Sequence, residues 1–270
     1  MCPPDHFDVL YRINPWMGHV PVDRLRAQRQ WRRLRDIYRD LGHCVIEVAS
    51  APGLPDMVFV ANPALVIDGR AVISRFRHDE RAREADLMNA TLVQLGVSVA
   101  GSTDAASEGE GDFVVVGDRL LGGWGFRTQR AAHSEVADLL ARDVISLELL
   151  DPRFYHLDTA LAAVDHSTIA YYPGAFEPRS RVLLRELFPD AVLATEQAAD
   201  ALALNFVSDG SHVVLEAGAP ALAGALRERG LAVIETEMTE FHKAGGGIKC
   251  CTAEWHTTSP VRSPRPRRHR

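Results

Sequence analysis

The sequence of 270 residues lacks the features that mark several large classes of protein. It has only four cysteines, and two of them, Cys250 and Cys251, are adjacent, so we expect reduced thiols and no disulfide framework. No apolar run approaches the roughly 18–20 residues that cross a membrane, and the first residues have neither the basic start nor the apolar stretch of a signal peptide. We therefore expect a cytoplasmic protein that makes no contact with a membrane.

Basic residues are scarce outside one short segment. The net charge is −6, but residues 261–270 hold five arginines and no acid, so the rest of the chain carries −11. A body this acidic lacks the basic face that binds phosphates, and we expect no nucleic-acid partner. Residues 257–270, rich in proline and arginine, are predicted to be a disordered tail, and residues 1–256 a single domain.

Phosphate-binding glycine motifs are also missing. The two dense glycine clusters, at residues 122–125 and 245–247, do not follow the Gly-x-Gly-x-x-Gly pattern and do not end in Lys-Ser/Thr. We therefore expect no bound nucleotide and no classical dinucleotide-binding fold.

What is present is an alternation of short apolar strands and amphipathic helices, which indicates an α/β protein. Helices are predicted at residues 21–41, 81–95, 130–140, 180–187 and 219–229, the first with an apolar face that includes Leu25, Trp31, Leu34 and Ile37. Strands are predicted at residues 44–48, 57–60, 64–67, 71–74, 112–116, 120–121, 144–147, 155–164, 168–172, 192–193, 202–207, 213–215 and 232–235.

These elements recur as strand, turn, strand, helix, strand. A polar residue lies near the opening strand of each unit (Asp56, Asp112, Asp158 and Asn205), at spacings of 56, 46 and 47 residues. A period near 50 residues is typical of repeat architectures. Four or five such units that close radially would bring these polar residues together in one central site.

Two clusters could carry chemistry. His156 and Asp158 are two residues apart, so in a strand both face the same way, and the pair could act as a general acid/base. Cys250 follows Lys249 and a run of three glycines, which suits a reactive thiol beside a closely approaching backbone. The alternatives are a buried, hydrogen-bonded histidine and a structural cysteine. No pair of ligands has the spacing of a metal site, and we expect no metal.

A third group consists of carboxylates, an amide and arginines. Carboxylates suit a planar guanidinium because each can accept paired N–H bonds, and arginines suit a carboxylate. The alternative for each is a solvated turn residue or a surface ion pair. The group comprises Asp56, Asn62, Arg81, Glu108, Asp112 and Arg127.

Taken together, the motifs of the chain resemble the guanidine-modifying superfamily, which includes arginine deiminase, dimethylarginine dimethylaminohydrolase and the amidinotransferases. The resemblance runs from about residue 2 to residue 255. It rests on HFDVLYRINPWM at 6–17, LPDMVFVANPALV at 54–66, EGEGD at 108–112, GGWGFRT at 122–128, RFYHLDTALA at 153–162, YYPGAF at 171–176 and TEFHKAGGGIKCC at 239–251. It implies a five-bladed α/β-propeller, or pentein, built from ββαβ repeats.

The resemblance also implies roles for individual residues. Cys250 is the expected nucleophile that attacks the guanidinium carbon. His156 is expected to protonate the departing ammonia and then activate water, while Glu108 orients His156. Asp112 and Asp158 would hold guanidinium nitrogens, and Arg81 and Arg127 would bind the substrate carboxylate. No metal or organic cofactor is implied.

Within the superfamily, INPWM, FVANP and YHLDT most resemble the arginine dihydrolase branch, which takes arginine through citrulline to ornithine. Asn62 stands where deiminases and dimethylarginine hydrolases typically have aspartate, and its amide can accept and donate, so it could accommodate a ureido group. Asn14 is its expected companion, and Asp56 completes the pocket. The alternatives are a dimethylarginine hydrolase, an arginine deiminase or a non-catalytic arginine sensor; the sequence leaves a homo-oligomer open.

Overall fold

The computed structural model describes residues 1–257. Its helices match the predicted positions to within a few residues, and three further short helices lie in connections. The helices of the described chain are α1 (Arg24–Asp40), α2 (Asp79–Gln94), α3 (Gly109–Asp112), α4 (Arg130–Leu140), α5 (Pro178–Leu187), α6 (Glu196–Asp200), α7 (Pro220–Glu228) and α8 (Thr239–His242).

Helix α1 shows how local sequence sets these boundaries. It begins after Asp23, whose carboxylate accepts a hydrogen bond from Arg26 N at 2.9 Å and so caps the first turn. Trp31, Leu34 and Ile37 are buried as predicted. Leu25, predicted on the same face, is 68% exposed; that prediction is wrong because Ala27, two residues later, takes the buried position of the first turn.

Thirteen strands form four sheets within residues 1–257. The strands of the four sheets in chain order are β1 (Ala64–Ile67), β2 (Arg70–Ile73) and β3 (Ser98–Ser102); β4 (Phe113–Val116), β5 (Arg119–Trp124) and β6 (Val144–Glu148); β7 (Leu161–Ala163), β8 (Ile169–Tyr171) and β9 (Val192–Leu193); and β10 (Val207–Ser208), β11 (His212–Glu216) and β12 (Ala232–Thr236), with β13 (Trp255–His256) added to the first sheet beside β1.

Every sheet has the same topology, which confirms the repeated unit. The first two strands form an antiparallel hairpin, and the third pairs in parallel with the second after a helix on the connection, as in β4, β5, α4 and β6. Parallel pairing needs such a crossover, because a tight turn can join only antiparallel neighbours. The fold is therefore mixed α/β with four ββαβ units.

Four of the predicted strands are wrong wholly or in part. Residues 44–48 form no strand. Of residues 57–60, the first two belong to the 3₁₀ turn Pro55–Val58, and the last two form no strand. The strand predicted at 155–164 is confined to β7 and is preceded by the 3₁₀ turn Leu157–Thr159, while the one predicted at 202–207 contributes only its last residue to β10. The last three segments are almost wholly buried, so their apolar runs do not distinguish a strand from a helical turn. Residues 44–48 are exposed or half-buried, and their apolar run does not pair with a sheet.

The polar residues of the repeats lie on helical turns and not on strands. Asp56, Asp112 and Asp158 each lie on a short helical turn that precedes a sheet, and Asn205 ends a similar turn after α6. His156 and Asp158 therefore do not share the face of a strand. The carbonyl of His156 accepts from Thr159 N within the turn at 3.2 Å, whereas that of Asp158 accepts from Asn205 Nδ2 at 3.1 Å.

An aromatic cluster fixes the segment that carries Cys250. Phe7 stacks on Phe241 with ring centroids 4.9 Å apart and meets Phe59 edge to face at 5.8 Å. Cys250 lies in the same buried cluster, and its carbonyl accepts a hydrogen bond from Ala61 N at 3.1 Å. The amino-terminal segment and the carboxy-terminal turn are thereby locked to each other.

Two predictions concern features beyond this core. Within residues 1–257, no helix is both long enough and apolar enough to cross a membrane. The predicted disordered tail lies outside the described residues except for Thr257.

Candidate active site

Three turns meet at Cys250. Its Sγ lies 3.3 Å from Asp158 Oδ2 and accepts a hydrogen bond from Asn205 Nδ2 at 3.2 Å. The backbone N–H of Cys250 donates to Asn205 Oδ1 at 3.1 Å. The side-chain nitrogen and the side-chain oxygen of Asn205 therefore both hold the cysteine, and they fix the direction of its thiol.

His156 and Glu108 form the second part of the site. His156 Nε2 lies 2.7 Å from Glu108 Oε2, and both side chains are buried. Arg127 Nη1 donates to the same carboxylate at 3.0 Å, and Arg77 N donates to it at 3.2 Å. Burial by itself raises the pKa of Glu108, but Arg127 and His156 outweigh it and hold that pKa well below its usual range.

This pairing assigns the free nitrogen of His156. Because Glu108 is ionised and can only accept, Nε2 carries the hydrogen that points to it. The other nitrogen, Nδ1, is buried and has no partner in the described chain. Nδ1 is therefore the atom that can exchange a proton with a bound molecule.

Asn62 is fixed by Arg81. Arg81 Nη1 donates to Asn62 Oδ1 at 2.9 Å, and Asn62 Nδ2 is buried without a described partner. Arg81 also contacts Glu84 through Nε and Nη2, the closest pair being 2.7 Å apart. Asn62 Nδ2 and His156 Nδ1 both face Gly111. A Cβ added to this glycine would collide with Asn62 Nδ2 and would lie 3.1 Å from His156 Nδ1, so these two nitrogens lie near each other. The absence of a side chain at Gly111 keeps this space open.

Three aspartates surround these groups. Asp56 Oδ1 and Asp158 Oδ1 are buried and have no hydrogen-bond partner among residues 1–257. Burial raises the pKa of Asp158 to about 7 and also raises that of Asp56. Asp112 differs, because its two oxygens accept from Leu157 N at 3.1 Å and Thr128 N at 3.2 Å. Asp112 therefore holds two turns together. A guanidinium that binds Asp112 as predicted would share its oxygens with these two backbone N–H groups.

Burial also controls the thiol. Desolvation, followed by the negative charge of Asp158, raises the pKa of Cys250 well above its usual value. The sequence-based expectation of a thiol activated by Lys249 is therefore wrong. The Lys249 ammonium contacts Glu110 and Glu254 instead, with Nζ 2.5 Å from Glu254 Oε2.

The predicted carboxylate-binding arginines are both committed to acids of the chain itself. Arg81 uses four of its five N–H groups on Glu84, Asn62 and two carbonyls. Arg127 uses two on Glu108 and Ile13 O. The freer of the two is Arg127, which also lies over the ring of Tyr155.

Asn14 occupies the edge of the site. Its amide donates to Ala244 O at 2.9 Å and accepts from Trp16 N at 2.9 Å. A Cβ on Gly245, which has a φ of 84°, would lie 2.9 Å from both Asn14 Oδ1 and Tyr155 Oη. The amide therefore holds the amino-terminal turn against the glycine run, and its direct contact with a substrate stays a prediction.

No role was predicted for two further residues of the site. Asn205 holds Cys250; its position in the repeat predicted that it lies near the centre but not what it contacts. Glu84 holds Arg81 and is fully buried. An acidic residue on an amphipathic helix gives no sign in the sequence that it faces inward.

The site is closed to solvent in this structure. Cys250, His156 and Asp158 are each at most 2% exposed. A cavity of about 640 Å³ reaches Asp158 from the side of Lys249 and Glu254 rather than from the side of His156. A substrate therefore needs a local opening to reach the thiol.

The chain matches known proteins over nearly its whole length. A family model described as arginine deiminase matches residues 32–204. N(G),N(G)-dimethylarginine dimethylaminohydrolase of Mycobacterium tuberculosis is 46% identical, with 95% of this chain and 85% of the relative covered. Bifunctional arginine dihydrolase/ornithine cyclodeaminase AgrE of Nostoc is 40% identical over 97% of this chain, which spans only 38% of that relative.

Solved structures of similar proteins have the same fold. A Cys→Ser variant of the N-terminal domain of ArgZ, a cyanobacterial arginine dihydrolase, was solved bound to substrate; it has a TM-score of 0.93 and 36% identity, with 96% of this chain and 98% of that domain covered. A dimethylarginine dimethylaminohydrolase at 22% identity and a TM-score of 0.74 shares the fold. The relatives act on C–N bonds of guanidino groups, and the motifs, the fold and the buried cysteine site agree with theirs: the chain belongs to the arginine deiminase family of guanidino-group hydrolases.

Proposed function

We propose that this protein is a cysteine-dependent arginine dihydrolase, which converts free L-arginine through citrulline to ornithine, two ammonia and carbon dioxide. The observation that carries the proposal is the set of unpartnered buried atoms near Cys250. Asp56 Oδ1 and Asp158 Oδ1 are acceptors for a guanidinium, His156 Nδ1 can exchange a proton, and Asn62 Nδ2 is a donor. Such orphaned atoms cost stability unless a ligand completes them.

The first hydrolysis uses Cys250 and His156. The Cys250 thiolate adds to the guanidinium carbon, the bond from that carbon to a terminal nitrogen breaks, and the nitrogen leaves as ammonia with a proton from His156 Nδ1. Water then adds to the thiouronium carbon and gives a proton to Nδ1, and the C–S bond breaks. The products are citrulline and the free thiol, and Glu108 stabilises the charged imidazole throughout.

Substrate binding supplies the thiolate. The raised pKa of Cys250 keeps the thiol protonated in the empty site, beside Asp158. A guanidinium held by Asp56 and Asp158 brings a positive charge next to Sγ and favours ionisation. Cys250 therefore becomes nucleophilic when the cationic substrate is bound, and its proton passes to Asp158 or His156.

The second hydrolysis depends on Asn62. Citrulline carries a ureido oxygen where arginine has a nitrogen, and an oxygen needs a donor. Asn62 Nδ2 is an unpartnered donor, whereas an aspartate at this position would offer only acceptors. The thiol adds to the ureido carbon and ammonia leaves, which gives a thiocarbamate on Cys250. Water adds to that carbon and the C–S bond breaks, which gives the free thiol and the carbamate of ornithine. The carbamate takes up a proton on nitrogen, its C–N bond breaks, and the products are ornithine and carbon dioxide.

The comparisons support two close activities. A dihydrolase domain solved with substrate and a dimethylarginine hydrolase at 46% identity are both near relatives. The second candidate is therefore hydrolysis of dimethylarginine that stops at citrulline, with arginine deiminase as a related form. A non-catalytic sensor is disfavoured, because Cys250, His156 and Glu108 are present and in contact with their partners.

The proposal extends to assembly of the domain and its ligands. We propose that the four ββαβ units, together with α1 and the turn that carries Cys250, close radially as the five-bladed propeller of the family. Residues 1–256 would form this single domain. The reaction uses a small amino acid and water, and the proposed chemistry requires no metal or organic cofactor.

A product assay tests the activity. Purified protein is incubated separately with arginine, citrulline and asymmetric dimethylarginine, and citrulline, ornithine, ammonia and dimethylamine are quantified. We expect two ammonia and one ornithine per arginine. Accumulation of citrulline without ornithine would refute the dihydrolase, and preferential release of dimethylamine would establish the second candidate.

Asn62→Asp tests the proposed basis of the second step. We expect citrulline to accumulate from arginine and ornithine formation to fall by roughly tenfold or more, because the donor to the ureido oxygen is lost. Asn89→Asp on the exposed face of α2 is the matched control and should leave the product ratio unchanged. Undiminished ornithine formation by Asn62→Asp would show that the amide is not the reason.

A further inference from the structure

Glu84 is a buried acid that the proposed reaction does not use. It is fully buried in α2, three residues after Arg81, and every hydrogen bond described for it goes to Arg81. A charged carboxylate in the interior is costly unless it is paired, so its presence needs an explanation. The explanation lies in what Arg81 does with its remaining N–H groups.

Arg81 is held in one orientation by contacts on several sides. Glu84 accepts from Nε and Nη2, and the carbonyls of Asp56 and Phe59 accept from Nη2 at 3.3 and 3.4 Å. The ring of Phe76 lies beneath the guanidinium, 4.7 Å from its carbon. The planar fork of an arginine permits little rotation under these constraints, so the direction of Nη1 is fixed.

Nη1 in turn fixes the amide of Asn62. An arginine only donates, so the atom of Asn62 that meets Nη1 at 2.9 Å must be the oxygen. The nitrogen Nδ2 then points to the space left open by Gly111, beside His156 Nδ1. If Arg81 turned away, the amide could rotate and present its oxygen to the site instead.

We infer that Glu84 is a positioning residue for substrate choice: through Arg81 it holds Asn62 with its donor toward the site, and so favours a neutral ureido group. The inference rests on the proposed function for its consequence, because a donor is useful only to a substrate with an oxygen at that place. It gives Arg81 a task other than the predicted contact with the substrate carboxylate.

The test measures affinity rather than turnover. In a Cys250→Ser background, the dissociation constants of citrulline and arginine are determined by titration calorimetry with and without Glu84→Gln. We expect citrulline to bind about tenfold more weakly in the Glu84→Gln protein, since the loss of one charge-assisted hydrogen bond releases Arg81. Arginine should bind within about threefold of its original affinity, because a rotated amide offers it an acceptor.

Two controls separate this effect from damage to the fold. Glu80→Gln makes the same change on an exposed position of α2 and should alter neither affinity. Glu84→Asp keeps the charge but withdraws the carboxylate by one methylene, and it should shift the ratio in the same direction by less. If Glu84→Gln does not fold, Glu84→Asp carries the test.

A double-mutant cycle with Asn62→Asp completes the experiment. A carboxylate has no orientation to set, so in the Asn62→Asp protein Glu84→Gln should no longer change the ratio of the two dissociation constants. A ratio that shifts equally with and without Asn62 would overturn the inference, as would equal weakening of both ligands. The proposed function has its own test: it is refuted if the unmodified enzyme forms no ornithine from arginine. In that case the ratio of the two dissociation constants still decides whether Glu84 positions Asn62.

Discussion

Two charge clusters in this protein are supplied by the same two segments, one fully buried and the other partly exposed. Glu108 and Cys250 belong to the candidate active site, whereas Glu110 and Lys249, their near neighbours in sequence, belong to the second cluster. In the second cluster Lys249 contacts Glu110 and Glu254, and Glu110 also accepts from Glu254 N at 3.1 Å. In the active site, four polar atoms have no partner in the described chain.

The difference identifies which cluster is structural. The ion pairs of Lys249 with Glu110 and Glu254 anchor the turn of Cys250 to the residues just before the short strand β13. The second cluster includes Glu110, Glu254 and His256, whose ligand atoms lie within 4.8 Å of one another and could hold a metal ion by distance alone. The Lys249 ammonium bound to two of those acids already supplies their positive partner. The four unpartnered atoms around His156 and Asp158 are the reason why the other cluster is the candidate active site.

The adjacent cysteines provide the largest expected contrast. Cys250→Ser should lower ammonia release by roughly 10⁴-fold or more while arginine still binds, because the nucleophile is lost but the acceptors remain. Cys251→Ala should keep activity within about threefold, since this thiol is a buried part of the aromatic cluster. Rates come from coupled ammonia detection and binding from calorimetry. Full turnover by the Cys250→Ser protein would refute the mechanism in which Cys250 is the nucleophile.

The two glutamates should separate activity from stability. Glu108→Gln should reduce kcat by about 10²-fold or more, because His156 loses the charge that stabilises its imidazolium. Glu110→Gln should instead lower the free energy of unfolding by about 2 kcal/mol, with a smaller change in kcat, because Lys249 keeps only Glu254 as an ionic partner. Urea unfolding and initial rates measure both. Equal effects of the two changes on kcat would mean that the clusters are not distinct.

The last contrast concerns the stability cost of the site. The folded pKa of Asp158 is about 7, against an ordinary value of 3.8, so the folded protein holds this proton more tightly. The stability from that proton is full below about pH 4 and is lost as the pH rises toward 7. Asp158→Asn should therefore be more stable than the unmodified protein by about 4 kcal/mol at pH 8, and by less at pH 5.

Urea unfolding at the two pH values tests this expectation, with exposed Asp86→Asn as the control. The Asp158→Asn protein should also be nearly inactive, because the negative charge and one of the two acceptor oxygens that would hold the guanidinium are lost. A stability difference that does not change with pH would show that Asp158 is ionised in the fold at both values.

Much of the site was readable because its residues belong to contiguous motifs. Cys250, His156 and Glu108 were predicted as a set, and the structure brings His156 to Glu108 and Cys250 to Asp158. The five longer helices were also predictable, since their apolar period extends over nine or more residues. The helical turns at Asp56 and Asp158 were not, because three or four buried residues carry no period that separates a turn from a strand.

The sequence by itself determined the family, the repeated unit and the candidates for the reacting groups, because these depend on residue type and spacing. Only the tertiary structure decided how those groups are used. It showed that Arg81 is committed to Glu84 and Asn62, that Asn205 holds the thiol, and that Lys249 faces away from it. Hydrogen-bond direction and burial arise from contacts between distant segments, and local sequence does not specify them.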